Sequence, residues 1–207
     1  MARAWLVPVL ASLIGLVGAG AQAQDQAYGQ AFVAAFEQAC VPGRLSYEDT
    51  QKIVLDAGWM AVAEDADPEL AELMARSAAG MAEAEADGIG YEVKIFGRQV
   101  AGVSHYLVVG KLTSDIFDAL SCHLYNFAAT EVIDPALVTA LIGNPVAQEL
   151  REEDITSYVW GPPPAMPRTL DTYLTFIPEG SSYLDQTGFS GLMLKFETSL
   201  PELQANQ

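Results

Sequence analysis

The stretch Val103-Ser104-His105-Tyr106-Leu107-Val108-Val109 alternates at period two, and Leu170-Asp171-Thr172-Tyr173-Leu174-Thr175-Phe176 repeats the pattern 67 positions later. Successive side chains of an extended strand point to opposite faces, so runs of this kind commit the backbone to β-structure. One face is mainly apolar in both: Val103, His105, Leu107 and Val109 in the first, Leu170, Thr172, Leu174 and Phe176 in the second. The other face is more polar, carrying Ser104, Tyr106, Asp171, Tyr173 and Thr175. Two such runs require a sheet with a covered face, and the rest of the chain must supply the cover.

Helical patterns precede them. Tyr28, Phe32, Phe36 and Cys40 recur every four residues, which predicts a helix over about 26–40 with one apolar stripe, closed by Pro42-Gly43. Ser46 suits the N-cap of a second helix that runs to Ala57, with Gly58 marking its end and Trp59 following as a packing anchor. Asp67-Pro68 opens a third helix, a capping carboxylate followed by proline at the first helical position, with Leu70, Leu73, Met74, Ser77 and Met81 as its stripe.

Strands are expected at 91–96 and 100–112, separated by a turn at Gly97-Arg98. Between 116 and 128 the sequence fits either a helix face (Ile116, Leu120, Leu124, Phe127) or an alternating strand, and the aromatic content selects a strand over about 119–128. Asp134-Pro135 opens another helix that stops at Gly143, and polar residues 145–153 suit a helical turn. Strands resume at 155–160, 169–177 and about 189–198, with a loop over 178–187 and a loose tail from Pro201 to Gln207.

Displacing the chain by 67 aligns Asp67-Pro68 with Asp134-Pro135, Leu70 with Leu137, Glu85 with Glu152, Asp87 with Asp154, Tyr91 with Tyr158, and Tyr106-Leu107 with Tyr173-Leu174. About two to four such identities arise by chance from average composition. Two readings fit: a helix plus three-strand unit used twice, over about 67–130 and 134–198, or coincidence between two αβ segments. The expected fold class is α+β, with N-terminal helices packed on an antiparallel sheet. One domain over 24–200 is expected.

The amino-terminal 23 residues read as an address. Arg3 is followed by an uncharged run rich in leucine and valine, then by Ala19-Gly20-Ala21 and Ala21-Gln22-Ala23, small-residue patterns that suit cleavage after Ala21 or Ala23. Pro8, Gly15, Gly18 and Gly20 interrupt a run already near the lower limit for spanning a bilayer. The expectation is a soluble, exported protein, periplasmic or secreted, with no membrane span after cleavage.

With 10 basic and 27 acidic residues the formal charge is −17, and the basic residues are scattered singly. Such a field repels nucleic acid and anionic lipid, which excludes both as partners. Only two cysteines are present, Cys40 and Cys122. An even count in an exported chain points to a disulfide, and chain entropy assigns a bridge of this span about 4.5 kcal/mol.

Motifs of catalysis are absent from the sequence. Gly188-Phe189-Ser190-Gly191 resembles a nucleophile elbow, but Leu192 stands where glycine is required and a strand follows instead of a helix. Gly88-Ile89-Gly90 lacks the third glycine of a dinucleotide fingerprint, Val93 standing there, and Gly110-Lys111 lacks the remainder of a phosphate loop.

His105 and His123 are the only histidines, and two imidazoles with a carboxylate could hold zinc if they converged. His105, however, lies on the mainly apolar face, which favours a hydrogen-bonded imidazole within packing over a ligand. Cys122-His123 fails as a thiol and base, since adjacent strand residues face opposite ways. The acidic run Glu64-Asp65-Ala66-Asp67-Pro68-Glu69 lacks the glycine and closing glutamate of a calcium loop. Tyr158, Trp160, Tyr173, Phe176 and Tyr183 suit core positions, with a subset available to line a groove.

These observations predict a non-catalytic binding or interaction module, without a metal or cofactor, whose partner is a protein or a small apolar ligand. The alternative is a hydrolase or metal-dependent enzyme assembled from distant residues around His105 and His123.

Overall fold

The computed structural model describes residues 17–85 and 88–200. Expectations about residues 1–16, Asp87 and the tail 201–207 lie outside the described residues. Among the described residues five helices, α1 (Val17–Cys40), α2 (Tyr47–Asp56), α3 (Pro68–Glu85), α4 (Pro135–Ile142) and α5 (Leu184–Thr187), accompany eight strands. The strands are β1 (Met60–Ala61), β2 (Gly90–Val100), β3 (Val103–Thr113), β4 (Asp118–Asn126), β5 (Gln148–Glu152), β6 (Ile155–Trp160), β7 (Thr169–Ile177) and β8 (Gly191–Ser199). They form one antiparallel sheet in the order β1-β2-β3-β4-β8-β7-β6-β5. The α+β class expected from the sequence is the class observed.

The two alternating runs are β3 and β7, and they keep the same orientation. Leu107 pairs with Leu124, Leu124 with Leu194, and Leu194 with Leu174, a row of four fully buried leucines across the middle of the sheet. Helices α1, α2 and α4 cover this face through Phe32, Phe36, Val54, Val138 and Ile142. Each such buried side chain contributes roughly 1.5–3 kcal/mol. The other face carries Ile95, Val108, Tyr125 and Met193 and is covered by α3 through Leu70 and Met74, with Phe189 from the segment after α5.

Edge-to-edge pairing of β4 with β8 places β2-β3-β4 and β6-β7-β8 about a twofold normal to the sheet between Leu124 and Leu194. The helices do not obey it. That axis would carry α3 and α4 to one face, yet they lie on opposite faces. Tyr91 and Tyr158, aligned by the 67-residue displacement, also point to opposite faces, because Tyr91 pairs with Leu112 whereas Tyr158 pairs with Leu174. The symmetry is therefore one of strands. Asp67-Pro68 and Asp134-Pro135 share a capping chemistry: each aspartate Oδ1 accepts a bond of 2.9 Å from the backbone N–H two residues on.

Cys40, at the end of α1, is bridged to Cys122 in the middle of β4, with Cα atoms 5.8 Å apart. The expected staple thus ties the first helix to the centre of the sheet. A disulfide fits an oxidising compartment. No helix among the described residues is long and apolar enough to cross a membrane.

Several boundaries differ from expectation. Helix α1 is already formed at Val17, well before the expected start near Gln26. The β2–β3 turn is Ala101-Gly102, with φ of 50° and 82°, and not Gly97-Arg98. Positive φ at both central residues matches the right-handed twist of a tight hairpin. Gly97 is instead a strand residue beneath Val62. Residues 148–152 form the edge strand β5, not a helical turn; every one is exposed, so no apolar alternation marked them. The ambiguous segment at 116–128 contains the strand β4, as expected. Four residues within the expected loop 178–187 close into α5, and the last strand starts at Gly191 rather than 189.

Candidate functional site

The two histidines sit on opposite faces of the sheet and share no cavity. His105 is fully buried on the α1 side, where its Nδ1–H donates to the Val103 carbonyl at 2.8 Å. Its Nε2 accepts from the Tyr28 hydroxyl at 3.1 Å, and the Tyr28 oxygen accepts from Asn126 Nδ2 at 2.5 Å. Asn126 Oδ1 in turn accepts from the Ala128 N–H at 3.0 Å. A chain of four hydrogen bonds thus joins α1, β3 and the end of β4, with every ring nitrogen satisfied.

Burial holds His105 below its usual pKa, against the opposing bond to Val103, and pushes the Tyr28 hydroxyl up to about 12. Both groups are therefore neutral near pH 7, and neither is poised to exchange a proton there. The imidazole acts here as a polar joint within the packing, the role its apolar face suggested.

Above this relay lies a cleft of about 770 Å³. Its walls come from residues 24–28 of α1, the β2–β3 turn and the segment 126–137. Tyr28, Val103, Ile133 and Leu137 supply apolar surface. Asp25, Glu131 and Asp134 are its charged residues, all acidic and exposed, so the cleft presents an apolar interior under a negative rim. A volume of this size lies within the range of small-molecule sites.

His123 faces the α3 side. Its Nδ1 lies 3.0 Å from the Tyr125 hydroxyl, while Nε2 is buried without a hydrogen-bond partner. Burial, reinforced by the Lys195 ammonium, pushes its pKa down to about 3. Cys122 is committed to the disulfide on the opposite face, so the Cys122-His123 pair forms no catalytic couple.

Ser190, the serine of the incomplete elbow, is buried and engaged otherwise. Its N–H and hydroxyl donate to the Glu69 carboxylate at 3.0 and 2.8 Å, joining the start of β8 to α3. Asp67 caps α3 and Glu69 holds Ser190, which accounts for two carboxylates of the acidic run. No group of three or more metal-ligating side chains converges among the described residues.

Of the aromatic residues singled out in the second half, Tyr158, Trp160 and Phe176 are buried in the core, and none of the five lines the cleft beside Tyr28. The sequence reading missed Tyr28 as the partner of His105 and Asn126 as the partner of Tyr28, because they belong to different elements. Tyr28 stood out only as part of a helical stripe, and nothing local distinguishes Asn126.

Fold and site together define an α+β protein with one continuous antiparallel sheet, a helical cover on each face and a ligand-sized cleft at one end. Comparison with protein-family models, with curated proteins and with solved structures finds no match to this chain.

Proposed function

We propose that the protein is an exported, non-catalytic binding module, periplasmic or secreted, that holds a small ligand with an apolar body and a neutral or positively charged head. The cleft beside Tyr28 carries this reading: it has ligand-compatible volume, apolar walls and only acidic charged side chains at its rim. Tyr28 donates to His105 and accepts from Asn126, which leaves its oxygen one further acceptor site for a donor on the ligand. The leader-like sequence before Ala23 and the disulfide support export.

Octylamine, octanol and octanoate test the reading as three heads on one chain. The imidazole resonances of His105, directly beneath the cleft, should shift and saturate with octylamine and octanol. An Ala129→Phe substitution, which places a ring in the cleft, should abolish those shifts. The proposal fails if His105 ignores both compounds, or if Ala129→Phe leaves their binding intact. Recovery of the chain from an exporting host with Gln22 or Gln24 at its N-terminus tests the address.

A further inference from the structure

A second cleft lies on the opposite face, between α3, the sheet and the residues that follow α5. It measures about 450 Å³ and adjoins a smaller cavity of about 180 Å³ that shares Tyr91 and His123 with it. The apolar wall is formed by Leu73, Met74, Val108, Phe189 and Met193. Its charged residues reverse the bias of the molecule: with 10 basic and 27 acidic residues in the chain, this cleft is lined among the described residues by Arg76 and Lys195 and by no carboxylate, while Glu197 lines the smaller cavity beside it.

The carboxylates that face these cations stand outside the lining. Glu72 holds Arg76 at 2.6 Å, Asp185 lies 3.9 Å from it, and Glu197 lies 3.1 Å from Lys195. The two Arg76 pairs are exposed, and pairs of that kind hold weakly and exchange readily for a better acceptor, whereas the Lys195–Glu197 pair is half-buried. Four hydroxyl-bearing residues, Ser77, Tyr91, Tyr125 and Thr187, also line the cleft. His123 adds a polar atom that the fold leaves without a partner. A buried imidazole nitrogen without a hydrogen bond is costly, and no group among the described residues bonds this one.

We propose that this second cleft is a binding site for an anion-headed apolar molecule of the medium-chain carboxylate class. The chain would lie against Met74, Val108, Phe189 and Met193, with the head toward Lys195 and Arg76 and within reach of the hydrogen-bonding groups around His123. The apolar wall disfavours a bare inorganic anion, and the cationic lining disfavours an amine.

The chain's two histidines each report one cleft, so a single experiment separates the sites. The full chain is titrated with octanoate, octanol and octylamine near pH 7 while the imidazole resonances of both histidines are followed. Octanoate should shift His123 and leave His105 in place. The double variant Arg76→Gln/Lys195→Gln should weaken octanoate binding about tenfold or more, as expected for loss of charge-assisted contacts, while an unchanged His105 spectrum shows that the fold is intact. Four results each overturn the proposal: no shift at His123 with octanoate, a shift confined to His105, octanol or octylamine binding at His123 as tightly as octanoate, or a double variant that binds octanoate like the parent. Binding of octylamine at His105 is read separately, so failure of either site leaves the other testable.

Discussion

Removing the Cys40–Cys122 bridge by Cys40→Ala/Cys122→Ala should destabilise the protein by about 4.5 kcal/mol. The figure follows from the 82-residue separation, which loop-closure entropy converts to that cost at 25 °C. Both sulfurs are fully buried beneath α1, so lost packing adds to the entropic term. Urea unfolding followed by tryptophan fluorescence reads the loss, since Trp59 and Trp160 are buried in the core cluster that holds both cysteines. With a dependence of about 2 kcal/mol per molar urea, the midpoint should fall by roughly 2 M. The slope should also rise, because an uncrosslinked unfolded chain exposes more surface. A midpoint shift under about 0.5 M with an unchanged slope would refute the reasoning. So would two titratable thiols in the oxidatively refolded parent.

Acid should weaken the fold through His123. Its pKa in the folded protein, about 3, lies below the ordinary histidine value, so between those limits the unfolded chain binds a proton that the native state refuses, and stability drops as pH falls. Between pH 7 and 5 this amounts to on the order of 1–2 kcal/mol; urea midpoints for the parent and His123→Gln should show a shallower slope in the variant, with a residual slope from His105. Gly191→Ala should cost roughly 3 kcal/mol or more, since φ there is +88° and the new Cβ would stand 2.3 Å from the Asn126 carbonyl oxygen. A melting temperature within a few degrees of the parent would show that the β4–β8 junction yields more easily than its geometry implies.

Helices α2, α3 and α4 were legible because their caps are local: Ser46, Asp67 and Asp134 each bond a backbone N–H within three residues. Strands β3 and β7 were legible because alternation against a buried face is written within each segment, whereas the pattern of β4 fits a helix face equally well and aromatic content had to select the strand. Where a segment meets no apolar layer, as in the exposed β5, that signal vanishes. The turn was misplaced for a related reason: Gly97 and Gly102 look alike in sequence, and only the pairing of Val100 with Val103 makes the latter the corner.

The disulfide followed from a count of two cysteines in a chain with a leader-like start. Composition, likewise, carried the acidic field, and spacing carried the α+β class. Which face each helix covers depends on contacts between segments far apart, so Asp67-Pro68 and Asp134-Pro135 could look equivalent and still open helices on opposite sides of the sheet. The same holds for both clefts. Tyr28 meets His105 across 77 residues and Asn126 across 98, and His123 loses a partner only because of what packs around it. Local backbone preference and periodicity are properties of neighbours along the chain; a cavity, a relay or an orphaned nitrogen exists only once distant segments have been brought together.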